Sequence, residues 1–229
     1  MNTRPIAVVT GASRGIGRSI ARRLATSYDV IALARSRTDL DSLARDASDE
    51  GGSVRAVACD VSDATAVERA LAGIEAEVLI NNAGVGPLKP LLDLTLEEWD
   101  RMTAVNFSAL FYVTRVLLPG MVARRSGDII NIGSIAGRNA FVGGTCYAAT
   151  KHAVNAFTES LMMEVRHANI RVAVVTPGSV DTAFSSRRDD TSWMIGPDEV
   201  ADAVMYLLGA PRRILVSRLE MRPSMPPKK

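Results

Sequence analysis

The sequence predicts an α/β protein built on one doubly wound parallel sheet with helices on both faces. Three observations predict it. Six short apolar runs rich in Val, Ile and Ala recur along the chain, each continuous rather than alternating, as strands buried on both faces are. Helical patterns separate these runs, and strand–helix alternation leads to right-handed parallel crossovers. A glycine-rich turn directly follows the first run. With 229 residues, the chain fits one domain over 1–221 and can bury a core without staples; a Pro-rich basic tail, 222–229, follows it.

In chain order, Ile6–Thr10 is the first strand. Thr10-Gly11-Ala12-Ser13-Arg14-Gly15-Ile16-Gly17 is the turn, and Arg18 to Ser27 is the helix behind it. Val30–Ala34 and Val54–Ala58 are the next strands, and Ser62-Asp63 opens a helix to about Ile74. Val78–Ile80 is the fourth strand. Thr95-Leu96-Glu97-Glu98 resembles a capping box and starts a long helix past Asn106 toward Leu117, which Pro119-Gly120 should interrupt. Ile129–Ile132 is the fifth strand, and a second long helix runs from about Tyr147 to His167. Val172–Thr176 is the sixth strand. Pro197 sits early in a helix that Gly196 opens and that runs through about Leu208. Leu215–Met221 is the last strand.

Composition narrows the function classes. Hydrophobic residues are 47%, charged residues 23% and the net charge +2, which fits a soluble enzyme rather than a nucleic-acid binder. No apolar run approaches the ~20 residues of a membrane span. Met1 to Pro5 leads straight into a strand with no leader, so a cytoplasmic protein is expected. Cys59 and Cys146 make no disulfide framework, and no metal-ligand spacing exists. His152 and His167 have no ligand partner in sequence, and Arg187-Arg188 reads as a surface pair.

Two constellations carry chemistry. The first strand, glycine turn and helix form the phosphate cradle of a Rossmann-type dinucleotide fold, where backbone N–H groups and a helix N-terminus meet a pyrophosphate. Tyr147 and Lys151 stand at i, i+4 on one helix face. A lysine beside a phenol lowers the phenol's pKa, so the pair can move a proton to or from an oxygen. A hydroxyl from Ser134 aimed at that oxygen would polarise a carbonyl. Taken alone, each constellation also reads as a tight turn or a snorkelling lysine.

Together the motifs resemble the short-chain dehydrogenase/reductase family. The chain carries Thr10 to Gly17, then Asn81-Asn82-Ala83-Gly84, Val105-Asn106, Ser134, Tyr147-x-x-x-Lys151 and Pro177-Gly178, in the family's order, over about residues 5 to 210. The resemblance implies NADP(H) as cofactor. Gly11, Ser13, Arg14, Gly15, Ile16 and Gly17 would cradle the pyrophosphate. Asp60 and Val61 would meet the adenine, and Asn82, Ala83 and Gly84 would follow the fourth strand into the same cleft. Pro177, Gly178, Val180 and Thr182 would line the nicotinamide side, and Lys151 would hold the nicotinamide ribose with Tyr147 beside it. Arg35 stands where NAD-specific sites place an acidic residue. With Arg14 it can pair with a 2′-phosphate, unless either merely faces water.

By the same resemblance, Tyr147 is the proton donor, Ser134 holds the substrate oxygen and Lys151 tunes Tyr147. Asn106 shapes a helix kink that holds a water linking Lys151 to solvent. No metal is implied. The expected activity is carbonyl reduction by NADPH on 3-oxoacyl thioesters, small ketones, diketones or pterin-like carbonyls. An NADP-linked alcohol dehydrogenase and a non-catalytic NADP(H) sensor are the alternatives, and the intact Ser-Tyr-Lys set argues against the sensor. The loop after the sixth strand, 181–195, would cover the substrate, with Phe184, Phe141, Trp193 and Met194 as pocket wall or lid packing. The partners implied are a small-molecule carbonyl or alcohol and further copies of the chain. A homodimer or homotetramer would pair the two long helices through Ala149, Ala153, Ala156, Phe157, Ser160 and Leu161.

Overall fold

Seven parallel strands form one sheet in the order β3-β2-β1-β4-β5-β6-β7 in a computed structural model that describes residues 4–184 and 190–227. The strands are β1 Ile6–Thr10, β2 Asp29–Ala34, β3 Ser53–Ala58, β4 Ala76–Asn81, β5 Gly127–Ile132, β6 Ile170–Pro177 and β7 Arg218–Met221. The helices are α1 Gly15–Ala25, α2 Arg37–Asp49, α3 Ala64–Leu71, α4 Leu96–Thr103, α5 Ala109–Arg124, α6 Thr145–Val165 and α7 Pro197–Gly209. All seven expected strands are present, although β7 begins at Arg218 rather than Leu215. Ser185 to Asp189 of the expected cover loop, Lys228-Lys229 of the tail and Met1 to Thr3 lie outside the described residues.

Strand side chains alternate between two cores. Along β1, Ala7 and Val9 pack with Ile20 and Leu24 of α1, Leu40 and Leu43 of α2, and Val200 and Val204 of α7. Val8 faces the other way, onto Val67 of α3, Val113 and Leu117 of α5, and Leu161 and Val165 of α6. Leu161 therefore belongs to this core and not to an outward pairing face. The strand order reverses between β1 and β4, which opens a crevice beyond their C-terminal ends.

Local sequence explains most boundaries. The side chains of Ser36, Asp63 and Thr95 accept the N–H groups of Asp39, Ala66 and Glu98, and Glu98 returns a bond to Thr95. Pro119 does not interrupt α5, which continues to Arg124. Pro119 lies on the exposed side, where water can satisfy the carbonyl it leaves unbonded. At Gly120 an added Cβ would lie 2.7 Å from Oε2 of the exposed Glu75, whose side chain would have to move.

Helices α4 and α5 join through a turn of π-helix, Ala104–Ser108, into one helix over Leu96–Arg124. By length and composition this helix is apolar enough to cross a membrane, contrary to the sequence expectation. Its apolar side is occupied by the sheet and α3, as for a core helix.

At the sheet end opposite the crevice, Arg171 ties three elements together. Its guanidinium pairs with Asp128 of β5 and donates to the carbonyls of Leu208 at 3.1 Å and Ala210 at 2.7 Å, at the C-terminus of α7. The side chain is 10% exposed. Arg171→Met strands these acceptors and should lower unfolding stability by about 2–3 kcal/mol, the scale of charge-assisted bonds in a partly buried site. Urea denaturation measures it; a loss within about 0.5 kcal/mol, as for a surface pair, would show the clamp to be idle.

Candidate active site

The glycine turn is stitched to the end of β4. Thr10 Oγ1 accepts the N–H groups of Asn82 at 3.0 Å and Ala83 at 3.1 Å, and Asn82 Nδ2 donates to Thr10 O and Gly11 O at 2.9 and 3.2 Å. Gly11 has φ +67°, and a Cβ there would lie 2.8 Å from Cα of Ala83. A Cβ on Gly17 would lie 2.3 Å from Asn82 Nδ2. These two glycines therefore let strand ends and side chains meet behind the turn. Gly15, also at positive φ, faces Thr182, whose Cγ2 would be 3.2 Å from an added Cβ. The segment after β6 thus comes close to the turn.

Helix α1, like α6, begins without a side-chain cap. Arg14 occupies the cap position of α1, and no acidic residue stands in the first turn. Its first N–H groups have no side-chain acceptor, and its dipole favours an anion. This fits a pyrophosphate over Ser13 to Gly17. Arg14 and Arg35 are exposed, and neither has an ion-pair partner among the described residues. Arg35 follows β2, whose Leu33 carbonyl takes the N–H of Ala12 at 3.2 Å, so both arginines sit at the same sheet edge.

Asp60, expected at the adenine, is already engaged. Its carboxylate accepts from the N–H and hydroxyl of Ser62 and pairs with Arg101 of α4 at 3.0 Å. Burial alone would raise its carboxyl, but these donors outweigh burial and hold it below the ordinary range. Val61 is buried beside it. Gly178 donates to Met221 O at 2.8 Å, and Val180 bridges to Ile195, so Pro177 to Thr182 forms a braced edge of the cleft.

Four polar residues converge at the ends of β4 and β5. Lys151 is 5% exposed and donates to Ile132 O at 2.9 Å. Its Nζ lies 5.8 Å from the centroid of the Tyr147 ring. The Ser134 hydroxyl accepts from Ala136 N–H at 3.1 Å and draws the Tyr147 phenol's pKa downward. Asn106, 2% exposed, sits in the π-helical turn. Its Oδ1 accepts from Val85 N at 2.8 Å, and its Nδ2 donates to Val85 O at 2.9 Å and to Thr150 Oγ1 at 3.2 Å. A small cavity of about 10 Å³, room for one water, is bordered by Thr10, Asn81, Asn106 and Lys151.

Electrostatics reverses one expectation. Burial pushes the Tyr147 phenol above its ordinary value, and the Ser134 bond pulls only partly the other way. Burial brings the Lys151 ammonium down to about 8, so it stays mostly charged at neutral pH, and its Nζ donates to Ile132 O.

Sequence reasoning missed the residues that hold these groups in place. A Cβ on Gly137 would lie 2.5 Å from Asn155 Nδ2 and 2.6 Å from Lys151 O, so this glycine lets the segment after Ser134 press onto α6. Asn155 then donates to Gly137 O at 2.9 Å. Gly86 and Gly144 likewise fit no motif, and an added Cβ on either would lie 2.5 Å from a phenylalanine ring. Cys146 is buried beside Tyr147, and burial raises its thiol, so it takes no part. No metal cluster occurs among the described residues.

Comparison with known proteins agrees with this geometry. The NADP-dependent 3-hydroxy acid dehydrogenase YdfG of Salmonella typhi is 36% identical, over 95% of this chain and 94% of its own. A metagenomic short-chain oxidoreductase solved in complex with NADP superposes with TM-score 0.87 at 35% identity, over 98% of this chain and 99% of its own. A 3-oxoacyl-[acyl-carrier protein] reductase of Brucella melitensis with bound NAD gives TM-score 0.88 at 30% identity, over 98% of this chain and 92% of its own. Residues 5–193 match the short chain dehydrogenase family, and the chain belongs to it.

Proposed function

We propose that this enzyme reduces a carbonyl to an alcohol with NADPH. The observation that carries the reading is the convergence of Ser134 and Tyr147 with the buried Lys151, whose Nζ lies 5.8 Å from the Tyr147 ring centroid. When bound, NADPH supplies the hydride that reduces the carbonyl carbon. Ser134 and Tyr147 together grip the carbonyl oxygen, and Tyr147 transfers its proton to it as negative charge develops there. Lys151 steadies the phenolate that results, and Asn106 keeps the turn beside Lys151 open to water.

Relatives on this fold carry either NADP or NAD, so cofactor choice has to come from this chain's own residues. Arg14 and Arg35 at the sheet edge supply positive charge for a 2′-phosphate and no acceptor for a 2′-hydroxyl. The outward faces of α5 and α6 support pairing with a second copy. Phe111 is 45% and Met163 55% exposed, with Ala149, Ala156 and Ser160 exposed between them and Ala153 and Phe157 half-buried. Small residues permit close approach of a partner helix across a two-fold axis.

Three outcomes test this reading. Tyr147→Phe keeps the ring and loses the proton donor, so carbonyl reduction should fall at least ~100-fold with NADPH affinity retained. Near-normal turnover would remove Tyr147 from the role. Wild-type kcat/KM should favour NADPH, and Arg35→Asp should shrink that preference roughly tenfold or more, or reverse it, on loss of a charge-assisted bond. Equal efficiency of the wild type with both cofactors would count against the two arginines. Sedimentation equilibrium at micromolar concentration should show a dimer or larger; a purely monomeric species refutes the pairing.

A further inference from the structure

Two aromatic rings lie against the start of α6, and each rests on a glycine. Phe184 packs on Tyr147 with ring centroids 5.6 Å apart and planes inclined at 50°. A Cβ on Gly86 would sit 2.5 Å from Phe184 Cζ and 3.4 Å from Tyr147 Cδ2, so phenol, phenyl ring and backbone meet at one place. Phe141 covers Gly144, the residue before α6, where an added Cβ would lie 2.5 Å from its Cζ. A Cβ on the neighbouring Gly143 would lie 3.6 Å from the backbone of Lys89, so the Phe141 loop runs beside the segment after β4. Missing side chains at Gly86 and Gly144 therefore give both rings their seats.

The surface around these rings is apolar. Phe141 and Phe184 remain 43% and 40% exposed, and Val142 and Leu88 on the same segments are 98% and 47% exposed. Clustered apolar exposure beside a reacting group marks a ligand surface. The cations on these two segments already face carboxylates: Lys89 pairs with Glu98, and Arg138 stands 3.9 Å from Glu220. A substrate carboxylate pressed against the rings would lose water, and among the described residues these two segments offer it no unengaged cation.

We infer that Phe184 and Phe141 select the substrate, and that the group it carries beyond the reacting carbonyl is uncharged and apolar. The chain takes aryl and alkyl ketones and 3-oxo esters ahead of 3-oxo or 3-hydroxy acids, unlike the activity for which the Salmonella relative is named. This inference rests on the carbonyl-reductase reading above.

The test compares 3-oxobutanoate, its ethyl ester and ethyl 3-oxo-3-phenylpropanoate, which present the same type of ketone with and without a carboxylate, each with NADPH. The esters should exceed the acid in kcat/KM by at least about tenfold, the lower end of what an apolar pocket discriminates. Phe184→Ala removes the ring, and Gly86→Ala displaces it while leaving it in the sequence. Both should raise KM for the phenyl ester about tenfold or more, with kcat changed far less, and Phe184→Leu should restore part of the loss. An acid used as well as its ester, or an unchanged KM in both variants, overturns the inference and leaves carbonyl reduction standing. NADPH binding with no reduction of any of the three overturns the carbonyl-reductase reading, and the inference falls with it.

Discussion

An amine buried at the end of β5 is the constraint on which the rest of the site depends. Lys151 is nearly inaccessible, and burial costs its charged form so much that it titrates near 8. Its position is held by neighbours rather than by an opposite charge. The Ile132 carbonyl accepts a hydrogen bond from it, Gly137 lets the chain after Ser134 close against it, and the π-helical turn brings Asn106 onto the neighbouring Thr150. Below it the polar character continues into the sheet: Asn81 bonds Asn131 at 2.9 Å, and Asn131 bonds Thr158 at 2.8 Å. This strip of amides between two apolar cores is costly unless its groups are bonded. Its position under Lys151 places that cost where a polar floor is useful.

The helix termini show the same division between stability and function. Helices α2, α3 and α4 begin on capping side chains, and Glu199 accepts the N–H of Gly196 at the start of α7. Helix α1 begins without one, in the crevice where the strand order reverses. A cap there would stabilise the isolated chain and occupy the donors an anion needs. Arg14 at that position adds charge of the sign that suits the anion.

Much of this architecture was legible beforehand, because parallel strands covered on both faces leave continuous apolar runs and the glycine turn has fixed spacing. Ser134, Tyr147, Lys151 and Asn106 were each found from motifs, and the structure brings all four together. What stayed hidden depended on partners distant in sequence. Pro119 looked like a helix end because its exposed side could not be known. Leu161 looked like an outward residue because helical spacing alone does not say which stripe meets the sheet. Gly137 and Asn155 fit no motif, and their contact exists only after β5 and α6 dock. The direction of the Tyr147 shift was missed because it comes from burial of the phenol itself, which helical spacing to Lys151 does not reveal.

The stitch between Thr10 and Asn82 spans 72 residues of chain. Strands β1 and β4 lie side by side although two strands and three helices separate them in sequence. Loop-closure entropy makes such pairing late and slow compared with local contacts. A nascent chain that has emerged only through β3 carries the complete glycine turn but lacks the strand end that shapes it. The cofactor cleft is therefore a product of the finished topology and not of its first βαβ unit. A dinucleotide that binds there draws on the whole fold's equilibrium, so its stabilisation is distributed across the sheet and not confined to the lobe it touches.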